Sequence, residues 1–298
     1  MSKRTVLVFG SGGQVGRALT ESPPLVNLSV EGRSRAQADI RDANAVHAAI
    51  TESAATVVVN AAAYTEVDRA ESERDRAFAI NQTGASTVAA ACAEASAPLI
   101  HLSTDFVFDG AKATAYDESD SVHPLSVYGE SKAAGENAVI AAQSSSVVLR
   151  TAWVYSPWRK NFVRTMLRLG AEHDELRVVD DQRGCPTAAR DIASAVLAIA
   201  AALADGKQDG FGIFHYCGRG EISWHRFAQE IFARASEQGL PTPKRLIPIT
   251  TADYPTPAKR PTNSVLSCEK IARVYGIAPP PWRDSVATCL NEIAGQRP

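Results

Sequence analysis

Thr5-Val-Leu-Val-Phe-Gly10-Ser-Gly-Gly13-Gln14-Val15-Gly16 carries an apolar run into three glycines spaced three apart. Thr5–Phe9 reads as a buried strand and Gln14–Thr20 as the helix that follows it. Between them, Gly10 permits a tight turn and Gly13 lets the backbone approach a pyrophosphate. Gly16 allows close helix–strand packing, with the helix N-terminus, Gln14 and Val15, facing the anion. A strand, glycine turn and helix in this order predict a dinucleotide-binding unit rather than a plain glycine-rich turn.

Outward from this loop, strand-like runs alternate with alanine-rich helical stretches. Leu28–Val30, Thr56–Asn60, Pro98–Ser103 and Val147–Arg150 read as strands, and Ala43–Glu52, Arg69–Ala95 and Leu125–Gln143 as helices. Such alternation predicts a Rossmann-type, doubly wound parallel α/β sheet. After Trp153 the pattern loosens: Phe162–Gly170 and Trp224–Ala235 are amphipathic, Asp191–Ala204 is a buried helix, and Leu176–Val179 and Gly212–Tyr216 are strands. Prolines crowd Pro241 to Pro261 and Pro279 to Pro281, a composition suited to loops over a site. The expected division is a nucleotide-binding domain over 1–150, completed by parts of 186–216. Residues 151–185 and 217–298 would form a smaller, discontinuous C-terminal substrate lobe.

The 298 residues, 45% hydrophobic and 21% charged, suit an ordinary globule. A net charge of −2 gives no electrostatic case for nucleic-acid or membrane-surface binding. The N-terminal apolar run is too short for a signal peptide, and Ile192–Ala204 is too short to span a bilayer, so a cytoplasmic protein is expected. Five scattered cysteines, without a metal-ligand spacing, read as reduced, buried thiols.

At the end of the second strand Glu31 argues for the ribose 2′-hydroxyl of NAD, whereas Arg33 and Arg35 argue for the 2′-phosphate of NADP. The two arginines favour NADPH and leave NADH open. Asp39 and Ile40 are placed to flank the adenine, and Ala61, Ala62 and Ala63, after Asn60, to pass beneath the ribose.

Tyr128 and Lys132 stand four apart on a predicted helix and so share one face. An ammonium beside a phenol helps it exchange protons near neutrality. A hydroxyl at a strand end, from Ser103-Thr104-Asp105, can hold the same substrate oxygen.

Gly10-x-x-Gly13-x-x-Gly16, Asn60-Ala-Ala-Ala-Tyr-Thr-Glu-Val-Asp68, Ser103-Thr-Asp-Phe-Val-Phe-Asp-Gly110 and Tyr128-x-x-x-Lys132 together resemble the extended short-chain dehydrogenase/reductases. Arg150-Thr-Ala-Trp-Val-Tyr155, Asn161-Phe162, Asp181-Gln-Arg-Gly-Cys-Pro-Thr187 and Tyr254-Pro-Thr-Pro-Ala-Lys-Arg-Pro-Thr-Asn-Ser264 narrow this to the dTDP-4-dehydrorhamnose reductase family. The resemblance runs nearly end to end. It implies reduction of the C4 keto group of dTDP-4-dehydro-L-rhamnose by NAD(P)H, with Tyr128 as proton donor, Thr104 on the oxygen and Lys132 on the nicotinamide ribose. It adds Tyr64, Thr65 and Leu102 to the cofactor contacts, and Asp105, Trp153 and Arg260, with Lys259, to the substrate contacts. For these last the bland readings stay open: a turn-forming aspartate, a packing tryptophan and solvated surface charge. The resemblance also implies a homodimer, in some members with Mg2+ held by interface glutamates. Here Arg190 stands at one of those acidic positions while Glu292 remains, and no metal ligand is assigned. Phe106 after Asp105 argues against the related dehydratases, which carry an Asp-Glu pair there. A nucleotide-sugar epimerase of the same superfamily, or a non-catalytic NADP-binding regulatory subunit, would share the glycine loop. Intact Thr104, Tyr128 and Lys132 weigh against the non-catalytic subunit.

Overall fold

The computed structural model describes residues 4–23 and 27–295. The first unit is β1 (Arg4–Phe9), α1 (Gln14–Thr20), β2 (Leu28–Arg33), α2 (Ala43–Glu52) and β3 (Val57–Asn60). After it come α3 (Val67–Ala70), α4 (Arg74–Phe78), a π-helical turn Ala79–Gly84, α5 (Ala85–Glu94), β4 (Leu99–Thr104), α6 (Val127–Ala142) and β5 (Ser146–Thr151). β6 (Val154–Tyr155), α7 (Phe162–Glu172), β7 (Glu175–Val179), β8 (Arg183–Gly184), β9 (Thr187–Ala188), α8 (Ala189–Ala204) and β10 (Gly212–His215) follow. The chain closes with β11 (Ile222–Ser223), α9 (Trp224–Glu237), β12 (Arg245–Ile249), α10 (Glu269–Tyr275) and α11 (Trp282–Gly295).

Six strands form one sheet in the order β10-β5-β4-β3-β1-β2, every neighbouring pair parallel. A parallel sheet is covered on both faces, and the strands' two-residue period divides its side chains between them. Val6, Val8, Val57, Val59 and Leu149 pack with α1 and α8 on one face. Leu7, Phe9, Val58, Leu99 and Val148 pack with α2, α5 and Val139 of α6 on the other. The chain leaves β1 towards β2 and returns to β3 on β1's other side. The crevice at such a switch point lies beyond the carboxyl ends of the strands. Gly10 and Ala61 stand there, so the topology delivers the glycine loop and the alanine run to one place.

A third cluster lies outside the sheet, with Tyr155, Val163, Val178, Phe227, Ile231 and Trp282 at its centre. There β7 pairs with β12, β8 with β11 and β6 with β9. Among the described residues no helix is long and apolar enough to cross a membrane.

Two sequence expectations are corrected. β2 runs on to Arg33 because its backbone continues the register with β1 through Phe9. The long helical stretch expected over 69–95 is divided into three helices and a π turn. The π turn turns Asn81 inward, where its Oδ1 accepts the Tyr64 backbone N–H at 2.8 Å and its Nδ2 donates to Ser131 Oγ at 2.9 Å. A Cβ on Gly135 would stand 2.1 Å from the Asn81 carbonyl oxygen, so α6 presses against this wide turn only because residue 135 is glycine.

Candidate active site

β4 ends at Thr104, and the next three residues make one 3-10 turn, Asp105–Val107. Ser126 starts α6 by accepting the Gly129 N–H at 3.2 Å on its hydroxyl. A Cβ on Gly129 would lie 2.2 Å from the Phe106 carbonyl oxygen, so glycine there lets the first turn of α6 close onto the 105–107 turn. Tyr128, buried in that first turn, meets the Phe106 ring edge-on at 5.6 Å between centroids. Lys132 is fully enclosed one turn later.

The Thr104 hydroxyl donates to Asp105 Oδ1 at 3.0 Å, and the other carboxylate oxygen, Oδ2, is buried without a hydrogen-bond partner. Burial pushes the Asp105 carboxyl up to about 6, against the pull of the Ser264 and Thr104 hydroxyls. Burial also pushes the Tyr128 phenol up to about 12; Thr104 lowers it in part and Asp105 raises it. This differs from the expectation of a phenol eased towards neutrality by its lysine, because desolvation outweighs the other influences. Lys132 moves the opposite way, down to about 8, by burial, with the Glu136 carboxylate resisting.

Lys132 Nζ donates to the Leu102 carbonyl at 2.7 Å and lies 3.4 Å from His101 Nε2. His101 Nδ1 lies 3.2 Å from Asn60 Nδ2, and Asn60 Oδ1 accepts the Ala62 N–H at 3.1 Å. Burial, then the Lys132 charge, holds His101 well below the usual histidine range, so the imidazole is neutral. This row ties the lysine to the backbone beneath the alanine run, and sequence reasoning missed both His101 and the inward Asn81. One helical turn beyond Lys132, Glu136 accepts two Arg150 donors at 2.9 and 2.7 Å and the Ser103 hydroxyl, all buried. The pair fastens α6 to β4 and β5.

At the switch point Gly10 has φ +80°, and a Cβ there would stand 2.6 Å from the Ala62 nitrogen. A Cβ on Gly16 would stand 2.1 Å from the Gly10 carbonyl oxygen. These are the tight turn and the close helix approach that the spacing predicts, and they leave a backbone cradle beside Ala61–Ala63. The Gln14 side chain is not free towards this cradle: its Oε1 accepts from Ser156 Oγ at 2.7 Å and Asn161 Nδ2 at 3.0 Å. Gly10 N–H and Ser11 N–H both donate to the Arg33 carbonyl, which sets the end of β2 beside the loop. Arg33 and Glu31 pair with each other at 3.5 Å. Arg35 pairs with Asp39 at 3.3 Å, and Asp39 is held more tightly by Arg41, which keeps its carboxyl far below the usual range. Ile40 is buried against Gly84, Tyr64 is buried with its hydroxyl on Glu73, and Thr65 is exposed.

Trp153 sits in the left-handed region at φ 46°, stacked on Trp224 with ring centroids 3.3 Å apart. Its indole N–H donates to Ser264 Oγ at 3.1 Å, which links it to the segment carrying Arg260 and to the hydroxyl beside Asp105. A Cβ on Gly184 would enter the indole ring, so glycine there makes room for it. Arg260 is engaged with Asp68 at 2.8 Å, while Lys259 is exposed. Arg190 donates to both oxygens of Glu292 at 2.7 Å. The cationic partner already satisfies this carboxylate, and no group of three or more His, Cys, Asp or Glu suited to a metal occurs among the described residues. The Mg2+ that the resemblance implies for some members therefore has no fitting donor set among the described residues.

The end of β4 and the start of α6 thus bring together a protonated phenol, a hydroxyl, a buried lysine and a carboxyl near the backbone cradle at the switch point. The family described as RmlD substrate binding domain matches residues 4–294. The chain is similar to the dTDP-4-dehydrorhamnose reductase of Sinorhizobium fredii, with 45% identity over 93% of this chain and 94% of that protein. Its fold matches the crystal structure of a dTDP-4-dehydrorhamnose reductase from Clostridium acetobutylicum, with TM-score 0.89, 36% identity and coverage of 97% and 99%. It matches that of the Bacillus anthracis dTDP-4-dehydrorhamnose reductase in complex with NADP equally well, at TM-score 0.89, 33% identity and the same coverage.

Proposed function

From the premise that this chain belongs to the dTDP-4-dehydrorhamnose reductase family, we propose how it performs that family's reaction. It is an NAD(P)H-dependent oxidoreductase of dTDP-rhamnose synthesis that reduces the C4 keto group of dTDP-4-dehydro-L-rhamnose. The finer assignments are our reading: NADPH as the preferred cofactor, the domain division given above, a cytoplasmic location, and the individual site residues. The observation that carries the reading is the closure of the first turn of α6, with Tyr128, onto the turn that follows Thr104, and of Lys132 one turn later onto the Leu102 carbonyl, beside the switch-point cradle.

When bound, NADPH supplies the hydride. Tyr128, protonated at neutral pH, donates its phenolic proton to the keto oxygen as charge develops on it. The Thr104 hydroxyl, now on Asp105, turns to donate to the same oxygen. Lys132 is mostly protonated at neutral pH. Lys132 also holds the nicotinamide ribose, with Leu102 and His101 fixing its reach. Gly10, Gly13, Val15 and Gly16 line the pyrophosphate side. Arg33 exchanges Glu31 for the 2′-phosphate, and Ala61–Ala63 pass beneath the ribose. Asp105 and Trp153 hold the sugar, and Arg260 exchanges Asp68 for the substrate's diphosphate.

Tyr128→Phe keeps the ring and removes the proton. Turnover should fall by about 10²–10⁴-fold while NADPH binding stays near wild type. A variant that kept a large share of wild-type turnover would assign the proton to another group.

A further inference from the structure

The segment between β6 and α7 belongs to the substrate half of the chain, yet it is moored on the glycine loop. Asn161 Nδ2 donates to Gln14 Oε1 at 3.0 Å, to the Ser156 carbonyl at 2.8 Å and to the Trp158 carbonyl at 3.0 Å. The Ser156 hydroxyl donates to the same Gln14 oxygen at 2.7 Å. The Trp158 ring is packed between two guanidinium groups, Arg17 at 4.7 Å and Arg190 at 4.8 Å from its centroid. The 156–161 loop is therefore held at both ends, and Arg159 at its tip adopts the left-handed region, φ 58°.

This geometry sends the Arg159 side chain across the cradle. A Cβ built on Gly12 would meet one atom within 4 Å, an Arg159 guanidinium nitrogen at 3.3 Å. Gly12 lies between the turn glycine and Gly13 and is not among the three spaced glycines that carry the motif. Arg159 is exposed, and among the described residues no carboxylate pairs with it, in contrast with Arg17, Arg33, Arg35, Arg190 and Arg260 around the same crevices. A planar cation left unpaired beside Gly12 of the glycine loop is suited to a bidentate grip on phosphate oxygens.

We propose that the 156–161 loop is a strap over the cofactor site, with Arg159 as a ligand of the dinucleotide's pyrophosphate and Gln14 as the mooring that aims it. The inference rests on the reading of the glycine loop as the pyrophosphate cradle and adds a ligand from the other half of the chain. Because the pyrophosphate is common to both cofactors, Arg159 strengthens NADPH and NADH alike. In this it differs from Arg33, which distinguishes them.

Binding titrations of the full-length chain with NADPH, NADH and adenosine 2′-monophosphate, followed by nucleotide fluorescence or calorimetry, test this. Arg159→Asn removes the charge while tolerating the positive φ. It should weaken both dinucleotides by a similar factor of about 10- to 100-fold, the range for one charge-assisted contact. Adenosine 2′-monophosphate, which lacks a pyrophosphate, should bind as it does to wild type, and the melting temperature should not move. Arg159→Lys should recover part of the affinity. Unaltered dinucleotide affinity in Arg159→Asn would overturn the proposal, and so would an equal loss for adenosine 2′-monophosphate, which would make the loop's role structural. A wild-type chain that binds neither dinucleotide would sink the reading of the cradle itself and this inference with it.

Discussion

Asp105→Asn should stabilise the protein while damaging its function, and the size of the gain should depend on pH. The residue is 2% exposed, and its Oδ2 has no hydrogen-bond partner, so one oxygen of the ionised form is held where neither water nor protein satisfies it. Its carboxyl rises from 3.8 to about 6 in the fold. Two units of displacement at about 1.4 kcal/mol each amount to roughly 3 kcal/mol that the ionised group takes from stability. The folded-state value is the raised one, so the favourable protonated form contributes fully below pH 3.8. That contribution is lost as pH rises through about 6. Asparagine does not titrate, and its carbonyl can still accept from Thr104. The variant's advantage should therefore be under about 1 kcal/mol near pH 4, grow to about pH 6, and stay level above it. At about pH 8 this corresponds to a melting temperature roughly 4–6 °C above wild type. Thermal unfolding of both proteins across that range, with turnover in parallel, is the assay. An advantage that did not change with pH, or a less stable variant at high pH, would refute the electrostatic account of this pocket. Full activity in the variant would remove Asp105 from the substrate site.

Two further substitutions test the ion pairs that stand where the cofactor and substrate charges are expected. Arg33→Ala should narrow the ratio of NADPH to NADH affinity by about tenfold or more, the value of one charge-assisted contact, and an unchanged ratio would show that Arg33 stays on Glu31. Arg260→Ala should lower kcat/KM for the nucleotide sugar by about 10- to 150-fold with NADPH affinity intact. A keto-sugar lacking the diphosphate should be indifferent to that change, and equal damage to both substrates would confine Arg260 to its bond with Asp68.

The parts of this molecule legible in the sequence are those whose causes are local. Gly10, Gly13 and Gly16 act within one turn, and Tyr128 and Lys132 within one helical turn, so spacing alone carries them. The alternation of strands and helices likewise predicts the parallel sheet, since every strand needs two apolar faces. Contacts that join distant segments were not legible. His101 meets Asn60 across 41 positions, and Gln14 meets Asn161 across 147. Nothing in Ser-Pro-Trp-Arg-Lys marks Arg159 as a neighbour of Gly12. The π turn at Ala79–Gly84 escaped a helical reading because its widened backbone bonding is marked by no residue type; Gly135 on another helix packs against it. Charge was legible in kind but not in pairing. Arg35 looked like a phosphate ligand and is tied to Asp39, whose main partner, Arg41, went unnoticed.

The reduction itself is read most closely by the loss of NADPH absorbance when the purified chain meets dTDP-4-dehydro-L-rhamnose, run beside the GDP and UDP analogues. Steady oxidation with the dTDP sugar, formation of dTDP-L-rhamnose in equal amount, and turnover lowered by about 10²–10⁴-fold in Tyr128→Phe are expected. Turnover confined to a GDP sugar, or none with any keto-sugar from a chain that binds NADPH, would contradict this reading.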